Sequence, residues 1–278
     1  MAEVLHHRPG VPRVVLMCHE GDRIDTEGLT AWIASSMDLV GVIRLKERRS
    51  RAWQRVRREI RRVGLLRFLD VLAFRLYYRV VWGRRDAAWI DDEVQRLKAR
   101  YPVDPAGVMT LVTHDPNGPA VRAFLRWVRP HVMIARCKTL LKPEVFGVPS
   151  HGTYVLHPGI CPEYRNAHGC FWALANRDVQ RVGMTLLRVD PGVDTGPILL
   201  QASYGFDELK ESHTVMQYRV VLENLDTVAK KLRAAWRGYL QPLPVAERKS
   251  ATWGQPWLSA YLRWKHAARQ GIPREAGR

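Results

Sequence analysis

The chain has 278 residues, with 44 Lys plus Arg against 27 Asp plus Glu and a formal charge of +17. Apolar residues make up 46%, enough for a packed core, which excludes a disordered or low-complexity chain. The length fits one large domain, or one domain with an appendage.

Residues 1–13 hold no apolar stretch of signal-peptide length. The greasiest region, 65–82, is interrupted by Arg67, Asp70, Arg75 and Arg79, so no membrane span is predicted. Four cysteines without a CxxC pair read as free thiols of a cytoplasmic protein.

Short apolar runs alternate with longer helical patterns. Val14–Cys18 predicts a strand that ends in a polar loop, 19–25. Gly28–Ser36 predicts a helix, and Leu39–Leu45 a second strand. Val108–Val112 and Val132–Ala135 predict the third and fourth strands, with helical spacing over Ala120–Val128 between them. Continuous apolar strands separated by helices imply an open, mostly parallel α/β sheet of Rossmann-like type with flanking helices. No GxGxxG is present, so no dinucleotide site is indicated.

Residues 44–85 read as an insertion of two amphipathic helices. They carry 15 Lys or Arg and three acidic residues, a surplus of +12. Three readings of this segment stand open. It is a solvated basic face over a packed apolar one, or a nucleic-acid surface with Trp53, Phe68, Tyr77 and Tyr78 as stacking groups, or a pair of interfacial helices on an anionic membrane. The last would make the protein membrane-peripheral.

Strands are predicted again at Thr153–Leu156, Gly183–Val189 and Pro197–Gln201. Ser212 suits the N-cap of a helix running to about Trp236. A basic, tryptophan-containing, proline-punctuated tail follows from Gln241. The expected organisation is an α/β domain over 12–210 with a C-terminal helical and irregular extension over 211–278.

The informative stretch is 155–201. Its first strand ends at His157, where Pro158 and Gly159 break it, and ligands of open α/β sheets sit at the carboxyl ends of strands. Downstream, the loop Asp190–Gly196 offers Asp194 among glycines. A His and an Asp on neighbouring loops can form a general acid–base with its orienting partner. His151, His157, Cys161, His168 and Cys170 fall close together, but their spacing matches no paired zinc pattern, so no metal is expected.

His157-Pro158-Gly159, Pro162-Glu163-Tyr164-Arg165, Gly183-Met184-Thr185 and Asp194-Thr195-Gly196, in that order, resemble the formyltransferase family that uses 10-formyltetrahydrofolate. Its members act on glycinamide ribonucleotide, methionyl-tRNA or amino sugars. The resemblance is strong over about 130–202 and weaker over 12–45. It implies His157 as catalytic acid–base and Asp194 as its catalytic partner. It further implies a folate pocket lined by Leu140, Leu141, Asp190 and Val193. The family's oxyanion-stabilising Asn does not carry over, because Val155 holds its position. Tyr164, Arg165 and His168 are the substrate-binding candidates, Arg165 through the phosphates of a nucleotide. Too few residues follow the motifs for a tRNA-binding barrel. The 168–174 segment resembles formyltransferase-like proteins of sugar pathways, so the implied acceptor is an amine on a nucleotide-linked sugar. Val155 keeps a second reading open, a non-catalytic relative that binds folate or a nucleotide-linked ligand.

Overall fold

The computed structural model describes residues 8–47, 52–105, 107–239 and 241–271, without the side chains of 52–55 and 58. The stacking candidate Trp53 therefore has its side chain outside the described residues.

Seven strands form the main sheet: β1 Arg13–His19, β2 Asp38–Leu45, β3 Thr110–Thr113, β4 Val132–Arg136, β5 Thr153–His157, β7 Met184–Arg188 and β8 Ile198–Ala202. Their order is β3-β2-β1-β4-β5-β7-β8. The first five are parallel, while β7 runs antiparallel to both β5 and β8. The chain leaves β1 toward β2 and β3, then returns to β4 on the other side of β1. That reversal puts a topological switch point between the carboxyl ends of β1 and β4.

Alternate residues of the parallel strands feed two cores. Val14, Leu16, Val42, Ile134 and Leu156 face a large cluster, and Val15, Met17, Ile43, Met133 and Ala135 face the opposite layer. Helices α5 (Pro119–Val128) and α6 (Pro143–Phe146) cover the second layer through Val121, Leu125, Val128 and Val145. The first layer is covered by α1 (Thr30–Ser36), α4 (Gly83–Arg100), α7 (Gly169–Ala175), α8 (His213–Leu222), α9 (Leu225–Trp236) and α10 (Leu258–Arg269).

Residues 44–85 do contain two helices, α2 (Ala52–Val63) and α3 (Leu65–Val81). Gly64 separates them at φ 80°, a conformation that favours glycine. Arg84 and Arg85 belong instead to α4, the crossover helix that leads back to β3. The third strand is shorter than expected, because Val108 is held in a turn by the Pro105 carbonyl. Ahead of α1, Ile24–Leu29 forms a π-helical turn that buries Asp25. Ser212 caps α8 as expected, its hydroxyl accepting from the Val215 N–H. The helix stops at Leu222, however, and α9 restarts at Leu225. Asn224 donates to the Val220 and Ser203 carbonyls at the break. The tail is less irregular than expected: α10 buries Trp264 in the large core, edge-on to Phe171.

Candidate active site

Strand β5 delivers His157 to the carboxyl edge of the sheet, buried. Its Nε2 stands 2.8 Å from the Tyr164 carbonyl, so that nitrogen carries a proton and donates. Its Nδ1 faces Asp194 Oδ2 at 3.5 Å, an ion-pair distance longer than a hydrogen bond. The two ring nitrogens thus face oxygen atoms, one of a carbonyl and one of a carboxylate.

The loops around this pair are tied to one another. Asp194 Oδ2 accepts the Asn166 backbone N–H at 2.8 Å, and Arg165 donates Nη1 to the Val193 carbonyl at 3.0 Å. Asp194, Asn166 and His168 all hold positive φ. Left-handed backbone at non-glycine residues costs free energy and clusters at functional sites. Asp190 folds its own loop, accepting from the Gly192 N–H and the Thr195 hydroxyl.

Thr185, fully buried on β7, does not face the cleft. Its hydroxyl donates to the Gly159 carbonyl at 2.7 Å and accepts from the Cys161 N–H at 3.0 Å. It therefore fixes the turn that follows His157. Gly159 is required there because a Cβ would lie 2.7 Å from His157 Nε2 and 2.9 Å from the Gly169 Cα.

The other expected residues divide. Leu140 is 54% exposed and Leu141 only 5%, packed in the core beneath α5. Asn117 pins this loop, donating to the Leu140 carbonyl and accepting from the Lys142 N–H. Val193 is exposed. Tyr164 is buried, its hydroxyl donating to Asp178 and its ring stacked on Trp253. Arg165 Nε is buried without a hydrogen-bond partner. His168 lies against His213 and Gln217. Burial, with Lys138 nearby, pushes its pKa down to about 4. Val155 packs with Leu187 and Ile198, two residues before His157 and on the same side of β5. Burial and the Asp194 charge push the Cys161 thiol up to about 12, which leaves it no nucleophile.

Sequence reasoning passed over the switch point itself. There Arg136, at the end of β4, pairs with buried Asp25 at 3.0 Å and donates to the Leu156 carbonyl at 2.6 Å. Burial raises the Asp25 pKa to about 6 despite Arg136. A cavity of about 230 Å³ opens beside this pair, lined by Asp22, Arg23, Ile90, Asp91 and Tyr218. Tyr218 closes the set by donating its hydroxyl to Asp22 at 2.8 Å. A charged residue at a predicted strand end and acids in a loop after a strand were the available signals. Among the described residues, no cluster of three or more side chains suited to a metal is found.

A family model described as formyl transferase matches residues 91–228, which take in His157, Asp194 and Arg136. The methionyl-tRNA formyltransferase of Thermodesulfovibrio yellowstonii is 34% identical over 105 residues, 36% of this chain and 33% of that protein. Human mitochondrial 10-formyltetrahydrofolate dehydrogenase is 37% identical over 67 residues, 24% of this chain and 7% of that protein. The chain thus spans about a third of the length of the methionyl-tRNA formyltransferases it matches. In fold, it is similar to phosphoribosylglycinamide formyltransferase of Anaplasma phagocytophilum, with TM-score 0.52 and 15% identity, covering 88% of this chain and 100% of that one. It is also similar to a sugar N-formyltransferase of Shewanella, with TM-score 0.51 and 13% identity, covering 87% and 76%. With its mostly parallel sheet and its ordered motifs, the chain belongs to the formyl transferase family.

Proposed function

We propose that the protein transfers a formyl group from 10-formyltetrahydrofolate to an amine, carried by a nucleotide-linked sugar. The observation that supports this most is the His157–Asp194 pair at the carboxyl end of β5, inside the segment matched by the family model. The donor fits the site in kind: exposed Leu140 and Val193 offer apolar contact to a flat ring, and the 190–194 backbone offers polar contact. Leu141 lies too deep to line such a pocket.

Bound donor supplies the formyl carbon. The acceptor nitrogen forms a C–N bond to that carbon, the carbon's bond to folate N10 breaks, and N10 takes the proton the amine loses. Oxyanion stabilisation is the largest demand on the protein in such a step. His157 donates Nε2 to the Tyr164 carbonyl, which leaves Nδ1, 3.5 Å from Asp194, as the nitrogen available to the reacting groups. Arg165, half-buried with its Nη1 at the loop surface on the Val193 carbonyl, supplies a guanidinium contact for an acceptor phosphate. The acceptor class rests on the likeness of the 168–174 segment to formyltransferase-like proteins of sugar pathways. Placement in the cytoplasm follows from the same reading.

Val155 supports a second reading, a relative that binds folate or a nucleotide-linked ligand without turnover. Purified protein incubated with 10-formyltetrahydrofolate and a panel of amino-sugar nucleotides separates the two, read as tetrahydrofolate release. Asp194→Asn is expected to lower kcat by about 10²–10⁴-fold with the melting temperature little changed. Tight folate binding with no turnover on any amine would overturn the transferase reading in favour of the second.

A further inference from the structure

Helix α3 buries Phe68, Val71 and Phe74 against the large core, where Phe74 meets Phe171, His213 and Tyr261. Such a helix ordinarily turns a polar face to water. This one does not. Leu65, Leu69, Leu72, Leu76 and Val80 recur three or four residues apart and form a second apolar stripe. At 100° per residue the stripe lies on the far side from Phe74, and every member is exposed. Leu66 widens it and is 85% exposed, while Leu76 is 67% exposed.

The surroundings of the stripe are basic. Arg57, Arg61 and Arg62 on α2, Arg75 and Arg79 on α3, and Arg84 and Arg85 at the start of α4 are all exposed. Arg62 pairs with Glu59. The charge excludes a solvated basic face as a full description, because the leucines gain nothing from it. A second copy of the chain would bring the +12 of residues 44–85 against itself. Nucleic acid would satisfy the arginines and leave an aliphatic stripe on hydrated phosphates, with Phe68 buried and Tyr77 and Tyr78 packed against Tyr261 and His213. A surface that takes both an aliphatic ridge and a rim of guanidinium groups has apolar depth below and anionic phosphate above.

We propose that α3, framed by the arginines of α2 and α4, docks the protein on an anionic membrane surface. The helix lies in the interfacial plane and does not span: among the described residues no helix is long and apolar enough to cross a membrane. This surface is independent of the formyl-transfer reading.

The test uses the full chain and vesicles of phosphatidylcholine, alone or with phosphatidylserine, followed by flotation. Binding is expected on the mixed vesicles and not on phosphatidylcholine alone. Both L66E/L76E and R79S/R84S are expected to reduce the bound fraction at least about tenfold. All four side chains are exposed, and an unchanged melting temperature checks that the variants fold. Absence of binding to phosphatidylserine vesicles would overturn the proposal. So would full binding by L66E/L76E, since the stripe would then have no part. A concentration-dependent dimer that L66E/L76E abolishes would assign the stripe to a second copy. RNA binding tighter than vesicle binding, with no response to the leucine variants, would assign the arginines to nucleic acid.

Discussion

Arg136 donates Nη1 to the carbonyl of Leu156, the residue that precedes His157. The guanidinium is held in turn by Asp25, which comes from the π-helical turn after β1. The His157 end of β5 is thus anchored from the switch point two strands away. Asp25→Asn leaves the Arg136 charge buried without its partner, a loss of about 3–5 kcal/mol. Urea unfolding should show that loss. Replacing both residues, as D25N/R136M, should recover much of the stability without recovering turnover, which is the signature of a positioning pair.

Gly159 is predicted to tolerate no side chain. Alanine there would set its Cβ 2.7 Å from both His157 Nε2 and the Tyr164 carbonyl, and the neighbouring Gly169 backbone has no room to withdraw. Overpacking of this kind costs about 1–3 kcal/mol. Gly159→Ala should therefore lower the melting temperature and rotate the histidine, with kcat falling further than KM changes.

Val155→Asn restores a hydrogen-bonding group on the His157 side of β5. An oxyanion donor is worth about 10²–10³ in rate where it is present. Turnover by V155N should rise toward that figure, at a stability cost of about 1–3 kcal/mol for placing an amide among Leu187 and Ile198. Steady-state kinetics with a fixed amine acceptor provide the measurement. An unchanged rate would mean that another group already fills the role.

His168 makes the fold acid-sensitive. The unfolded ring, near 6.5, takes a proton before the folded ring, held down to about 4 by burial and by Lys138 and Arg75, against Gln255. Its contribution to stability is intact above pH 6.5 and is lost as pH falls from 6.5 toward 4. His213, also pushed well down by burial and by His168, acts with the same sign. Chemical denaturation across that interval should show a slope that His168→Gln reduces.

Much of the sheet was legible in the chain because buried parallel strands leave unbroken apolar runs. Val14–Cys18 and Val132–Ala135 fall within β1 and β4. His157 was legible as well, since Pro158 and Gly159 mark the strand end. Helix α4 was not, because its interior-facing set includes Asp86 and Glu93 beside Val94 and Leu97. A stripe so interrupted by charge gives little periodicity. The Asp25–Arg136 pair was invisible for another reason: its members stand 111 positions apart, and only the crossover between β1 and β4 brings them together. The double-sided apolar character of α3 could be read from composition, but which face met the core could not.

The loop that carries Tyr164 and Asn166 is completed from far downstream. Arg165–Asn166 (β6) pairs with Thr252–Trp253 (β9), and Trp253 donates its indole N–H to the Glu163 carbonyl. Trp172 stacks on the same indole. During synthesis His157 emerges with its strand, yet the carbonyl that orients it waits on residues almost a hundred positions later. A ribosome paused before Trp253 carries a nascent chain with a formed sheet and an unset histidine. The setting of His157 therefore waits on Trp253, after all seven strands of the main sheet have been made.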